Sequence, residues 1–415
     1  MKLTTTALAL VLAGASAPAF AQYGSAPPSG TSQPQASAAP AKAADIRPSD
    51  QAMKAMIELQ DAVKTNDAAK IAQKIAAAEK VAKTKEDRYL ISQFRLQAAV
   101  ATKNTVAIAS AVDAVAATGM LEPAKLADTY SSLGSAFYAE KNYDLAASSL
   151  DKALAIDPRN IDALKTIGEV RVSQGRKAEG VAYFQRAIQA LTASGRKPEE
   201  NVYKRALGVA YEASLPVSVE LGRQWAAAYP NADSWHNSVA IYRNLMKIDA
   251  EGTLDLLRLL RAANAMTGSD YSTYANAAFD QSNFVEAQAV LEQGVAGNHI
   301  SATDPAVKEA MAALKAKPKP TDTDLVAAIK TAQTPTALIR IGDRYYGLGE
   351  YAKAADVYRQ ALTKPGADAG MANLHLGMAL ARAGDKAGAT AALNAVTGPR
   401  AEIAKFWLLY LQSRA

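Results

Sequence analysis

Between Ala127 and Asn160 eight residues stand at the spacings of a helical hairpin. Tyr130, Leu133, Gly134, Phe137, Ala146, Leu150, Ala153 and Pro158 fall at offsets 4, 7, 8, 11, 20, 24, 27 and 32 of a 34-residue window. Small residues at Gly134 and Ala146 let two antiparallel helices approach closely, the large residues fill the seam, and Pro158 stops the second helix. One such pair cannot bury its own apolar face, so copies must stack on one another.

Further copies are legible along the chain. A second starts at Ile161, with Leu164, Ile167, Gly168, Gly180, Phe184 and Ala187 in register. A third begins near Asn201 with Leu207, Gly208 and Tyr211, and its second helix opens at Pro216 and ends early at Ala228-Tyr229-Pro230. Asp233 to Ala263 keeps helical spacing through Trp235, Val239, Tyr242 and Leu245 but lacks the glycine, and Gly268 to Ser301 returns to pattern. From Asp304 to Thr334 the match fails, and Lys317-Pro318-Lys319-Pro320 interrupts two short helices. Proline removes donors and blocks helix continuation there, which makes this segment the expected hinge between a longer and a shorter array. Two more copies follow, marked by Leu338, Gly342, Tyr345, Ala354 and Tyr358, then by Leu376, Gly377, Ala389 and Leu393.

The flanks differ from the array. Residues 1–21 carry Lys2, an apolar run through Leu8, Leu10, Val11 and Leu12, and Ala19-Phe20-Ala21, the pattern of a secretory signal cut before Gln22. The run is too short to span a bilayer as an anchor. Residues 22–49, rich in Pro, Ser and Ala, are expected to be a disordered linker, and 50–121 to be degenerate helical repeats. The array proper is placed at 122–301, the irregular segment at 302–334, a C-terminal pair at 335–399 and a terminal helix at 400–415. That last helix centres on Phe406-Trp407-Leu408-Leu409-Tyr410-Leu411 and reads as a cap over the final repeat or as a contact for a second copy or partner.

On these residues the chain resembles the tetratricopeptide repeat family over most of 126–396, as an exported bacterial member. The resemblance implies an all-α fold, a right-handed α-solenoid of antiparallel helix pairs whose concave groove is lined by each pair's first helix. Carried over position by position, it implies a groove containing Ser131, Ser135, Tyr138, Lys165, Glu169, Arg205, Glu212, Asn276, Phe279, Asp343 and Tyr346. Ser131, Ser135 and Glu169 stand where chaperone-type members carry Lys, Asn and Asn, so a clamp for a C-terminal carboxylate is not implied. A second aromatic group, Tyr203, Tyr211, Trp225, Tyr229, Trp235 and Tyr242, sits in the irregular centre and is read as packing.

Chemistry is hard to place on this chain. It has no cysteine, which removes disulfides, thiolate ligands and lipid attachment through a thioether together. His236, His299 and His375 lie in different repeats without metal-ligand spacing, and are read as surface or packing residues. Gly347-Leu348-Gly349-Glu350-Tyr351-Ala352 fits G-x-G-x-x-A but follows a helix rather than a strand, and so reads as the turn within a repeat. The net charge of +6 is interleaved with acids rather than gathered into a nucleic-acid-binding tract. The expectation is a non-enzymatic periplasmic or secreted scaffold without cofactor or metal, binding an envelope protein or peptide; a glycan or peptidoglycan ligand is the alternative.

Overall fold

A computed structural model describes residues 46–414, and the expected signal at 1–21 and the linker as far as 45 lie outside the described residues. Every regular element among them is helical. The chain divides between Arg196 and Lys197 into two compact units.

Unit 1 contains α1 (Asp50–Lys64), α2 (Ala68–Val81), α3 (Lys85–Ala101), α4 (Thr105–Ala117), α5 (Pro123–Ala139), α6 (Tyr143–Ile156), α7 (Ile161–Ser173) and α8 (Lys177–Ala193). Unit 2 contains α9 (Glu200–Glu212), α10 (Val217–Ala228), α11 (Ala232–Leu245), α12 (Ala250–Ala262), α13 (Gly268–Asp280), α14 (Phe284–Ala296), α15 (Pro305–Lys315) and α16 (Asp322–Thr331). It ends with α17 (Pro335–Gly347), α18 (Tyr351–Leu362), α19 (Ala369–Ala383), α20 (Lys386–Asn394), a 3-10 turn (Gly398–Arg400) and α21 (Ala401–Ser413). The all-helical, paired architecture expected from the spacing is the one observed.

Two local rules build the pairs. The turn inside a pair places one residue in the left-handed region, as at Asn66, Lys103, Lys141, Gly175, Ser282, Gly349 and Gly384. The following residue is the N-cap of the second helix, and Asp67, Asn104, Asn142 and Asp385 accept from its first backbone N–H groups. The motif at Gly347 to Ala352 is such a turn. Seams then close by interlock: a Cβ at Gly134, Gly168, Gly342 or Gly377 would fall within 3.0 Å of Leu150, Phe184, Tyr358 or Leu393, each sixteen residues on. Glycine is what lets that side chain lie against the first helix.

The described end of the stretch expected to be linker, residues 46–49, is held to the first helices. Asp87 is buried and accepts from the Ser49 N–H at 2.8 Å, the Ser49 hydroxyl at 2.9 Å, and the Lys83 and Thr84 N–H groups at 3.1 Å each. This ties the entry of α1 to the start of α3, and Ile46 packs on the same core. Proline and serine content alone does not reveal a carboxylate 38 residues downstream that satisfies these donors.

Unit 2 is not an open row of pairs. Every residue from Leu254 to Leu260 in α12 is buried, so this helix is covered on all sides. The terminal helix α21 packs against α10, α12, α19 and α20. Tyr242 meets Phe406 at 5.5 Å between centroids, Trp235 meets Tyr410 at 6.4 Å, and Arg223 pairs with Glu402. Phe406, Trp407, Tyr410 and Leu411 are thereby buried within unit 2 itself, and the central aromatic group acts in packing through Trp225, Trp235 and Tyr242. Across the segment 304–334, α14 and α17 pack directly, with α15 and α16 forming an excursion that returns Leu314 and Leu325 to the same core.

Candidate binding face and the buried charge cluster

In unit 1 the first helices α5 and α7 lie side by side. Ser135 donates to the Ser131 carbonyl at 3.0 Å and stands 3.4 Å from the Thr166 hydroxyl, which links the two helices. Ser131 itself is buried, so its side chain is not offered to a partner as the resemblance implied. Ser135, Tyr138, Lys165 and Glu169 are half-buried, and Tyr138 leans on Tyr143 with centroids 6.0 Å apart. Ser135 and Tyr138 stand on α5, and Lys165 and Glu169 on the adjacent α7.

In unit 2 the inferred groove residues separate. Arg205, Glu212 and Asn276 are exposed, and Phe279 is exposed while packing on Phe284 at 5.2 Å. Asp343 and Tyr346 are buried at 6 % exposure each, which contradicts a groove position for them. The reason is α12, which occupies the space that an open array would leave to solvent.

Asp343 and Tyr346 belong instead to a buried charge cluster centred on Arg258. Its Nε donates to Glu286 Oε1 at 2.9 Å and its Nη2 to Oε2 at 2.8 Å, while Nη1 lies 3.4 Å from both Asp255 and Asp343. Tyr274 donates to Glu286 at 2.7 Å, Tyr358 to Asp343 at 2.8 Å, and the guanidinium lies over the Tyr346 ring at 4.7 Å. His375 sits between acids, 3.2 Å from Asp255 and 3.1 Å from Asp343, but off the directions a hydrogen bond requires. Its attraction to them is therefore Coulombic. Arg400 closes the set, reaching Glu251 at 2.8 Å, Asp249 at 3.1 Å and Asp255 at 3.5 Å just before α21 begins.

Arg258, His375 and Arg400 thus face Asp255, Glu286 and Asp343 in the interior, with Asp249 and Glu251 on Arg400 at the rim. Burial pulls the His375 imidazole down, but Asp255 and Asp343 outweigh it and carry it up to about 10. Burial raises Asp343, and the charges of His375 and Arg258 reverse that and hold it well below the usual carboxylate range. Burial pushes the Tyr274 and Tyr358 hydroxyls far above their ordinary value. The groups are committed to one another and bind α12, α14, α17 and α19 together, a structural task. Among the described residues no group of three such side chains is arranged to hold a metal ion. Sequence reading passed over Arg258, Asp255 and Glu286. The available signal was an Asp and an Arg three residues apart inside the leucine-rich stretch 254–260.

The other two histidines pack. His236 lies 3.1 Å from Asp270, and His299 stacks on Tyr271 at 5.1 Å.

Comparison with known proteins finds a family model over part of the chain and a set of solved structures. The model of the tetratricopeptide repeat matches residues 131–195 and 339–402. No curated protein matches the chain. Among solved structures, a tetratricopeptide repeat protein from Parabacteroides merdae is similar at 12 % identity, covering 71 % of this chain and 99 % of that one, with a TM-score of 0.29. Pseudomonas aeruginosa pilF is similar at 12 % identity over 56 % of this chain and 90 % of that one, TM-score 0.25. The apo form of RapI is similar at 12 % identity over 81 % and 98 %, TM-score 0.27.

Proposed function

With tetratricopeptide repeats at 131–195 and 339–402 the chain belongs to the tetratricopeptide repeat family, and we propose that it is a non-catalytic scaffold of the bacterial cell envelope, holding a partner peptide or protein on the first-helix face of unit 1. A protein–protein interaction scaffold is what such repeats support. The envelope setting rests on the signal-like residues 1–21. The face in unit 1 rests on one observation: Ser135, Tyr138, Lys165 and Glu169 remain solvent-accessible on adjacent first helices, whereas Asp343 and Tyr346 in unit 2 are buried. Polar side chains of both signs around one tyrosine suit an extended polar peptide.

In-cell crosslinking followed by affinity recovery tests this reading. A periplasmic protein recovered with the wild-type chain and lost with Lys165→Glu is the expected result. Recovery of nothing above background, or equal recovery with the variant, defeats it.

A further inference from the structure

A pocket of about 250 Å³ opens in unit 2 between the first turn of α14, the end of α17 and the loop at Pro318, Lys319 and Pro320. Gly347 makes the approach possible, since a Cβ there would meet Glu286 Cβ at 2.8 Å. The pocket takes in the turn between α15 and α16, the segment that departs from the repeat pattern.

Its polar lining is unsatisfied in one sense only. Asn283 is the N-cap of α14, yet its side chain caps nothing, unlike Asn104, Asn142 and Asn160. It is 6 % exposed and lines the pocket, and its side chain makes no capping bond. The first N–H groups of α14 are left without a side-chain acceptor for the same reason, at the positive end of the helix dipole. Lys319 and Arg344, both exposed, line the pocket and make no ion pair among the described residues. Three carboxylates are also present and all are engaged. Glu286 and Asp343 are held by Arg258, Tyr274 and Tyr358, and Asp324 accepts from the Thr321 N–H at 2.9 Å and its hydroxyl at 2.6 Å. What is left over is positive charge and amide donors.

We propose that this pocket binds a small organic monocarboxylate. Its carboxylate would take the Asn283 amide and the α14 N-terminus, with Lys319 and Arg344 at the rim. Its apolar body would lie on Phe284 and the two prolines. A second negative charge would face Glu286 and Asp343 at the floor, which disfavours phosphate. The volume lies just under the usual range for ligand pockets, about 300–1,000 Å³, and so limits the ligand to a small acid.

Benzoate is the probe, with benzamide, benzylamine and inorganic phosphate as comparators, titrated into the full chain by calorimetry and saturation-transfer NMR. Benzoate should bind saturably and about tenfold more tightly than any comparator. The double substitution Lys319→Gln/Arg344→Gln should weaken it about tenfold. So should Asn283→Asp, which sets a carboxylate in the pocket at nearly the same size; unchanged unfolding midpoints would establish that both variants fold. Absence of saturable binding, a comparator bound as tightly as benzoate, or undiminished binding by both variants overturns the proposal.

Discussion

Arg258 sets its guanidinium fork on Glu286 with two parallel hydrogen bonds of 2.9 and 2.8 Å, and both side chains are sealed from solvent. A bidentate pair at this depth holds α12 against α14, and through Asp343 and His375 it extends to α17 and α19. The value of the arrangement lies in its completeness, since removal of one member leaves the others buried and unmatched.

Arg258→Met should therefore destabilise unit 2 by about 3–5 kcal/mol, because Glu286 and Asp343 lose their buried counter-charge. Urea unfolding followed by tryptophan fluorescence reads this directly, since Trp225, Trp235 and Trp407 all lie in unit 2. A loss below about 1 kcal/mol would mean that the cluster is open to water.

The same cluster predicts an alkaline limit. The folded chain holds His375 up to about 10 against an ordinary value of 6.5. The protonated form is thus favoured by folding, so its contribution is complete below about pH 6.5 and is lost as pH rises through 10. Stability of unit 2 should fall across that window, and His375→Gln should flatten the slope while lowering the plateau. An unchanged slope in the variant would assign the pH dependence elsewhere.

At the start of unit 1 the sign is reversed. Burial raises Asp87, but hydrogen bonds from Ser49, Thr84 and Lys83 bring it down to about 2. A carboxylate depressed on folding stabilises above its unfolded value and loses that contribution as pH falls toward 2. Asp87→Ala strands the Ser49, Lys83 and Thr84 donors. It should release the 46–49 segment to proteolysis and cost about 1–3 kcal/mol, whereas retained protease resistance would show another anchor.

Two glycines at the same consensus offset should respond oppositely to alanine. Gly342→Ala drives a Cβ into the Tyr358 ring and should cost about 1–3 kcal/mol. Gly208 has nothing within 4 Å of its would-be Cβ, so Gly208→Ala should stabilise by about 0.5–1 kcal/mol. Thermal unfolding of both variants decides; loss at Gly208 would place a neighbour against α9.

That contrast shows where sequence reading succeeds. Gly134, Gly168, Gly342 and Gly377 are legible because each answers to a large residue sixteen positions on, a constraint local to one helix pair. At Gly208 the answering position is Gln224, with Trp225 beside it, and the seam has no interlock to report. The groove assignments depend on a longer-range fact, whether the first-helix face meets water. Ser135, Tyr138 and Lys165 keep that access, while Asp343 and Tyr346 lose it to a helix some 85 residues away in sequence. The leucine run of α12 and the aromatic run of α21 carried this information, but as composition without an address.

Hydrogen exchange at the α12 amides bears most directly on the contrast between an accessible face in unit 1 and a filled interior in unit 2. Amides from Leu254 to Leu260 should be among the slowest in the chain, and deleting 401–415 should accelerate them together with those of α19. Fast exchange at 254–260 in the intact chain, or exchange there indifferent to the deletion, would contradict a unit 2 built around α12 and closed by α21.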